Sequence, residues 1–313
     1  MARARDNSSA IAIPGPWQHR HVAANGARFH VAESLSSDKD DAPLVLLLHG
    51  FPEFWWSWRA QLPALSAAGY RAAAMDLRGY GGSDKPPRGY DPITLAQDVS
   101  GVIKALGARS AIILGHGWGG YVGWATATLH PREVTALCAV AAPHPQVMLK
   151  ALRPGHRLMA LRHVLAMQVP VLPERRLADP RSGFVRSHLS TWSSPASSFP
   201  DQATVETYTG ALSLWPAPHC ALEYHRWLFR SRLRADGRAF GRLMTPPVGQ
   251  PVCAVQGSDD PALPTTMATS SAAHVSGDYQ DETLEGAGHF PHEEQPEAFN
   301  DLALRWLSRV CTA

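Results

Sequence analysis

The sequence has little of what would assign a protein quickly. It carries four cysteines in 313 residues, Cys138, Cys220, Cys253 and Cys311. None forms a CxxC pair or a Cys/His spacing suited to a metal, which argues against a disulfide framework and leaves reduced, structural thiols. Charge of either sign is scarce: Lys and Arg total 29, Asp and Glu 27, and the net charge is +2. Such a balance gives no electrostatic footprint for nucleic acid. No apolar run reaches bilayer-spanning length, and residues 1–10 lack the apolar core of a signal peptide. A soluble, cytoplasmic chain is expected. A dinucleotide fingerprint is missing from the first strand turn, so no cofactor is implied. There is no internal repeat. Arginines crowd residues 153–162 and 226–242, where interleaved apolar residues place them on the wet faces of helices. The serine-rich stretch 191–198 reads as a surface loop.

What is present is a rhythm. Residues 17–23 and 28–34 alternate around Asn25-Gly26, a hairpin signal. Leu44–Leu48 is a continuous apolar run, as in a strand buried on both faces. Helical and strand-like segments then alternate: a helix over 55–68, a strand over 70–75, a helix over 91–106, a strand over 111–114, a helix over 119–129 and a strand over 134–141. The alternation predicts an α/β fold with a mostly parallel eight-stranded sheet flanked by helices. Residues 143–245 break it and read as a helical insertion. Strand–helix order resumes over 251–256 and 279–284, ending in a helix over 293–310. The chain therefore divides into a core of 1–142 and 246–313 and a cap of 143–245. Ligands bind at the carboxyl ends of strands in such sheets, which puts the cap over the site.

The candidate chemistry sits in the loops after those strands. His49-Gly50-Phe51-Pro52 follows the first buried strand, with Trp55, Trp56 and Trp58 behind it. The segment from Asp76 to Pro86 reads as a structural loop. Gly115-His116-Gly117-Trp118-Gly119-Gly120 has the place and spacing of a nucleophile elbow. Small residues flank the centre because strand and helix approach closely there. The centre is Gly117, which tolerates strained dihedrals but offers no attacking atom. Backbone N–H groups of Phe51 and Trp118 are the expected oxyanion donors. Asp260, with Asp259 as its neighbour, and His289 follow the last two strands, in the order acid then base. Asp260 would orient His289, the general base, while His292 reads as a surface histidine.

The strings HGFPEFWWSW, DLRGYGGSDKP, GHGWGG, QVPVLPE, GSDDP and GAGHF resemble the epoxide-hydrolase branch of the α/β-hydrolases, with haloalkane dehalogenases as near relatives. The resemblance spans nearly the whole chain. It implies an aspartate nucleophile at the position of Gly117, a water-activating histidine at His289 and a helper acid at Asp260. It also implies two cap tyrosines that hydrogen-bond the epoxide oxygen. No tyrosine occurs around residues 164–168, and the second donor position falls on His225 or its neighbour Tyr224. Phe51, His49, Pro52, Trp55, Trp56 and Trp118 are expected around a small, apolar epoxide or ester. The missing nucleophile leaves three readings open. Water is activated directly, or the chain is a catalytically impaired binding protein, or the His/Asp dyad moves a proton without hydrolysis.

Overall fold

The computed structural model describes residues 10–35, 42–151 and 159–312. Eight strands form one sheet: β1 (Trp17–Ala24), β2 (Ala27–Ser34), β3 (Leu44–Leu48), β4 (Arg71–Met75), β5 (Ala111–His116), β6 (Val134–Val140), β7 (Val252–Gly257) and β8 (Tyr279–Leu284). Their order is β1-β2-β4-β3-β5-β6-β7-β8. The first two strands make the antiparallel hairpin and β2 joins β4 antiparallel, whereas every other neighbouring pair is parallel. All five residues of β3 are buried, as are all six of β5. That follows from central position: a parallel strand covered on both faces needs an unbroken apolar run.

Helices α1 (Gln61–Ala67), α2 (Pro92–Ala105) and α3 (Trp118–Leu129) lie between the early strands. The helix expected over 55–68 is split, with a 3-10 turn over Trp55–Trp58 preceding α1. Between β6 and β7 the described residues form helices, α4 (Pro145–Ala151), α5 (Met159–Ala166), α6 (Leu172–Ala178), α7 (Phe184–Trp192), α8 (Gln202–Leu212), α9 (Ala217–Arg230), α10 (Ala235–Leu243) and two short 3-10 turns, and then a single β-bridge from Val248 to Val275. After β7 come α11 (Thr266–Ser271), and after β8 α12 (Pro291–Glu294) and α13 (Pro296–Thr312).

Two of the wet-face and surface expectations are corrected. Arg226 is buried on α9, its guanidinium 2.6 Å from Glu174 and 3.3 Å from Glu223. A charge at that depth is tolerated because both partners neutralise it. Arg153 lies outside the described residues. In the serine-rich stretch, Ser193 and Ser194 are buried. The Ser194 hydroxyl donates to Asp259 at 2.7 Å and its N–H to Glu294 at 2.8 Å. Ser193 and Ser194 are thus pinned to the core, while Thr191, Pro195, Ala196 and Ser198 are exposed, as a surface loop requires.

The elbow depends on one close approach. Helix α3 lies so near β3 that a Cβ on Gly119 would stand 2.1 Å from the Leu48 carbonyl oxygen. Only a residue without a side chain lets the helix N-terminus reach the strand end.

Candidate active site

Strand β5 ends at His116 and α3 begins at Trp118, so Gly117 alone makes the turn. Its φ of 51° and ψ of −114° lie outside the ordinary regions for side-chain-bearing residues. A Cβ there would meet nothing closer than the Gly50 Cα at 3.6 Å. The strained turn is present, and the space a side chain would enter is open.

His289 follows β8. Its Nδ1 lies 2.9 Å from the Asp260 carboxylate, and the Asp260 side chain is wholly buried. The other Asp260 oxygen accepts the backbone N–H groups of Ala262 and Leu263 at 2.8 and 3.1 Å. Those bonds fix the carboxylate, and the carboxylate fixes the ring. With Nδ1–H engaged, Nε2 is the ring nitrogen left for chemistry. The backbone is held too: the His289 N–H donates to the Trp192 carbonyl at 2.8 Å, and its carbonyl accepts from His116 Nε2 at 3.0 Å. Asp259, by contrast, accepts from the Ser194 and Ser258 hydroxyls.

A narrow cavity of about 80 Å³ lies between the elbow and the cap helices. Phe51, Gly117, Trp118, His225 and His289 line it, together with Tyr121, His163, His188, Trp192 and apolar side chains. Larger hollows exist elsewhere, but they lie away from the His289–Asp260 pair.

Four aromatic-loop expectations are corrected by placement, since His49, Pro52, Trp55 and Trp56 do not line this cavity. His49 Nδ1–H donates to the Gly50 carbonyl at 2.8 Å and Nε2 accepts the Leu77 N–H at 3.0 Å, joining two loops. Pro52 is buried. The Trp55 indole donates to the Ile11 carbonyl at 2.8 Å and meets Trp17 edge-on. Trp56 packs against Tyr208, with the Arg59 guanidinium 3.7 Å above its ring. The Asp76 loop is structural, as expected: its carboxylate accepts from the Trp55 and Gly82 N–H groups and pairs with His30, each at 2.8 Å.

The cap polar groups also differ from expectation. The Tyr224 hydroxyl donates to the Arg78 carbonyl at 2.7 Å and faces away from the cavity. His225 faces in. Sequence reading missed His163 on α5 and His188 on α7. A helical stripe, Val185, His188, Leu189 and Trp192, carried the signal for His188. Burial lowers the pKa of His225 to about 4 and those of His163 and His188 well below the usual imidazole value. A histidine kept neutral in the fold binds its proton more readily once unfolded. Its stabilising effect is therefore present above about pH 6.5 and is lost as the pH falls. Thermal melts should show a midpoint that drops steadily between pH 7 and pH 5, and His225→Gln should flatten that slope. A midpoint that rises on acidification would contradict the neutral assignment.

The surface assignment of His292 is also corrected: it is 1 % exposed and packs between Trp58 and His116. Glu53 joins it. One Glu53 oxygen accepts the Gly50 N–H at 2.9 Å and pairs with His116 Nδ1 at 2.8 Å, and the other stands 3.5 Å from His292 Nε2. Burial would raise the Glu53 carboxyl and lower His116. Their mutual attraction outweighs it in both, holding Glu53 well below the carboxylate range and His116 above the imidazole range. Among the described residues these three are the one group spaced for a metal. The 2.8 Å contact is shorter than the roughly 3.3 Å that two ligands of a tetrahedral zinc would keep, and it fits an ion pair better.

Comparison with known proteins agrees with this architecture. Residues 43–296 match the alpha/beta hydrolase fold family. The chain is similar to Epoxide hydrolase 3 of Xenopus tropicalis, 32 % identical across 93 % of this chain and 78 % of that protein. It is similar as well to Epoxide hydrolase A of Mycobacterium tuberculosis, 30 % identical across 94 % of this chain and 98 % of that one. Among solved structures, Cfl2 from Burkholderia cenocepacia superposes with a TM-score of 0.81 at 26 % identity, covering 93 % of this chain and 96 % of that one. No helix among the described residues is long and apolar enough to cross a membrane. Sheet order, elbow, loop order and relatives converge: the chain belongs to the α/β-hydrolases, in the epoxide hydrolase family.

Proposed function

We propose that this chain is an epoxide-hydrolase-like enzyme in which His289, oriented by Asp260, activates water directly on a small, largely apolar substrate. The observation that carries this reading is the pairing of an anchored base with an empty elbow. His289 Nδ1 sits 2.9 Å from a carboxylate fixed by two backbone donors, while Gly117 offers no atom for a covalent ester. In this reading residues 143–245 roof the site, and the core comprises 1–142 and 246–313. The Phe51 and Trp118 backbone N–H groups, which enter none of the hydrogen bonds among the described residues, stabilise the oxygen on which charge develops.

General-base assistance is worth about 10²–10⁴-fold, so slow turnover is expected. Incubation with a panel of aryl epoxides and aryl esters in H₂¹⁸O should place ¹⁸O in the product on the first turnover. His289→Ala should reduce the rate at least about 100-fold. A substrate-sized mass adduct on the wild-type chain, or ¹⁸O entering only after the first turnover, would overturn direct water attack. Absence of hydrolysis with retained binding would favour proton transfer or binding alone. One observation already leans toward proton transfer: the cap lacks its tyrosine donors.

A further inference from the structure

The protons at the roof of the cavity can be located from their partners alone. His225 Nδ1 lies 3.1 Å from the Ala221 carbonyl, which only accepts, so Nδ1 carries a hydrogen. His225 Nε2 lies 3.2 Å from Trp118 Nε1, an indole N–H that only donates, so Nε2 is a bare acceptor. A second nitrogen, His163 Nε2, stands 3.1 Å from the same atom and must be the donor in that contact. One in-plane lone pair thus receives two long hydrogen bonds. His188 Nε2, on the cavity wall, is buried and has no hydrogen-bond partner among the described residues. Where the resemblance implies two phenolic donors, this chain presents a shared acceptor on His225 and one N–H on His163.

We propose that this roof is a hydroxyl-binding site, and that the ligand is a small apolar molecule bearing an alcohol or phenol group. This rests on the cavity being the ligand site, as argued above. A hydroxyl that parts the two rings, 3.1 Å apart in the free protein, donates to His225 Nε2 and accepts from His163 Nε2–H, so the two nitrogens bond through it instead of to each other. The Trp118 indole continues to donate to His225. An ether or epoxide oxygen accepts from His163 but has nothing to give His225. The difference is one hydrogen bond, about tenfold in affinity. The ligand's apolar part lies against Phe51, Trp192, Val164 and Leu228.

The test pairs benzyl alcohol with benzyl methyl ether, titrated into protein carrying ¹⁵N-labelled histidine. In the free protein, long-range ¹H–¹⁵N spectra at pH 7 should show His225 neutral with hydrogen on Nδ1, and His163 neutral with hydrogen on Nε2. Benzyl alcohol should shift both Nε2 resonances and bind about tenfold more tightly than the ether. His225→Phe, and independently His163→Phe, should bring the two ligands to equal affinity while ether binding persists. A hydrogen on His225 Nε2 would overturn the proposal. So would equal affinities in the wild type with the His163 and His225 resonances unmoved; in that case the cavity still stands as a ligand site. Binding of neither compound, with no shift at His289, would overturn the ligand-site reading and this proposal together.

Discussion

Gly117→Asp is expected to convert a chain that forms no ester into one that forms a covalent ester with aryl epoxides. The attacking atom must be a side-chain oxygen at the elbow, and glycine has none. The new side chain has room, because a Cβ at Gly117 meets only the Gly50 Cα at 3.6 Å. The backbone already holds φ 51°, so the conformation need not be created. Keeping a side chain there costs about 1–3 kcal/mol. His289 and Asp260 remain to hydrolyse the ester, so the single variant should show only a transient adduct. Gly117→Asp combined with His289→Gln should trap it stoichiometrically. Ring opening will be slow, since His163 N–H and the His225 acceptor stand where the resemblance implies two phenolic donors. Intact-protein mass spectrometry with styrene oxide, followed by peptide mapping, decides the matter. An adduct on the wild type at another carboxylate, such as Asp76 or Asp84, would mean that the nucleophile has moved rather than been lost, and the premise would fail.

Glu53→Leu is expected to destabilise the fold by about 3–5 kcal/mol, the usual consequence of stripping one partner from a buried ion pair. Glu53 and His116 are both wholly buried and 2.8 Å apart. The substitution leaves the His116 ring without its counter-charge and the Gly50 N–H without its acceptor. Glu53→Gln keeps an acceptor for Gly50 and should cost less. The pH dependence gives a second handle. Glu53 is held below the carboxylate range, so its contribution is full above about pH 4.5 and is lost on further acidification. His116 is held above the imidazole range, so its contribution is full below about pH 6.5 and fades as the pH rises. The pair therefore helps most between those values. As the pH rises from about 6.5 into the alkaline range, the wild type should lose stability that Glu53→Gln does not. Urea unfolding midpoints across that range measure it. A loss below about 1 kcal/mol for Glu53→Leu would show the pair to be replaceable.

Both experiments bear on one assembly. The Glu53–His116 pair ties the Gly50–Phe51 loop to the end of β5, and His116 Nε2 holds the His289 carbonyl. Three parts of the site, drawn from three loops, meet at one buried imidazole. A fault there reaches the Gly50–Phe51 loop, the Gly117 turn and His289 together.

The family match rested on what is local in the chain. Apolar runs such as Leu44–Leu48 mark buried strands because a strand covered on both faces cannot alternate. Glycine spacing marks the elbow because backbone contacts such as that of Gly119 with Leu48 forbid a Cβ. The order Gly117, Asp260, His289 was readable because each follows a strand end, and the geometry puts Asp260 beside His289. What faced the cavity was not readable. Trp55 and Trp56 are adjacent to Phe51 in sequence, yet a 3-10 turn carries them into the core while Phe51 stays on the wall. Tyr224 and His225 differ by one helical step, roughly 100° of rotation, and only the packing of α9 against β4's following loop and the cavity decides which enters. Elements far apart in the chain bring the His163 and His188 rings within 4.8 Å of each other and the His292 ring within 4.6 Å of His116, and nothing local in the sequence announces either contact. The sequence by itself determined the sheet, the elbow and the order of Gly117, Asp260 and His289 after their strands, since backbone sterics and strand burial act over a few residues. Tertiary structure alone decided the cavity wall and the protonation of its histidines, because those depend on which distant donor or acceptor lands beside each ring.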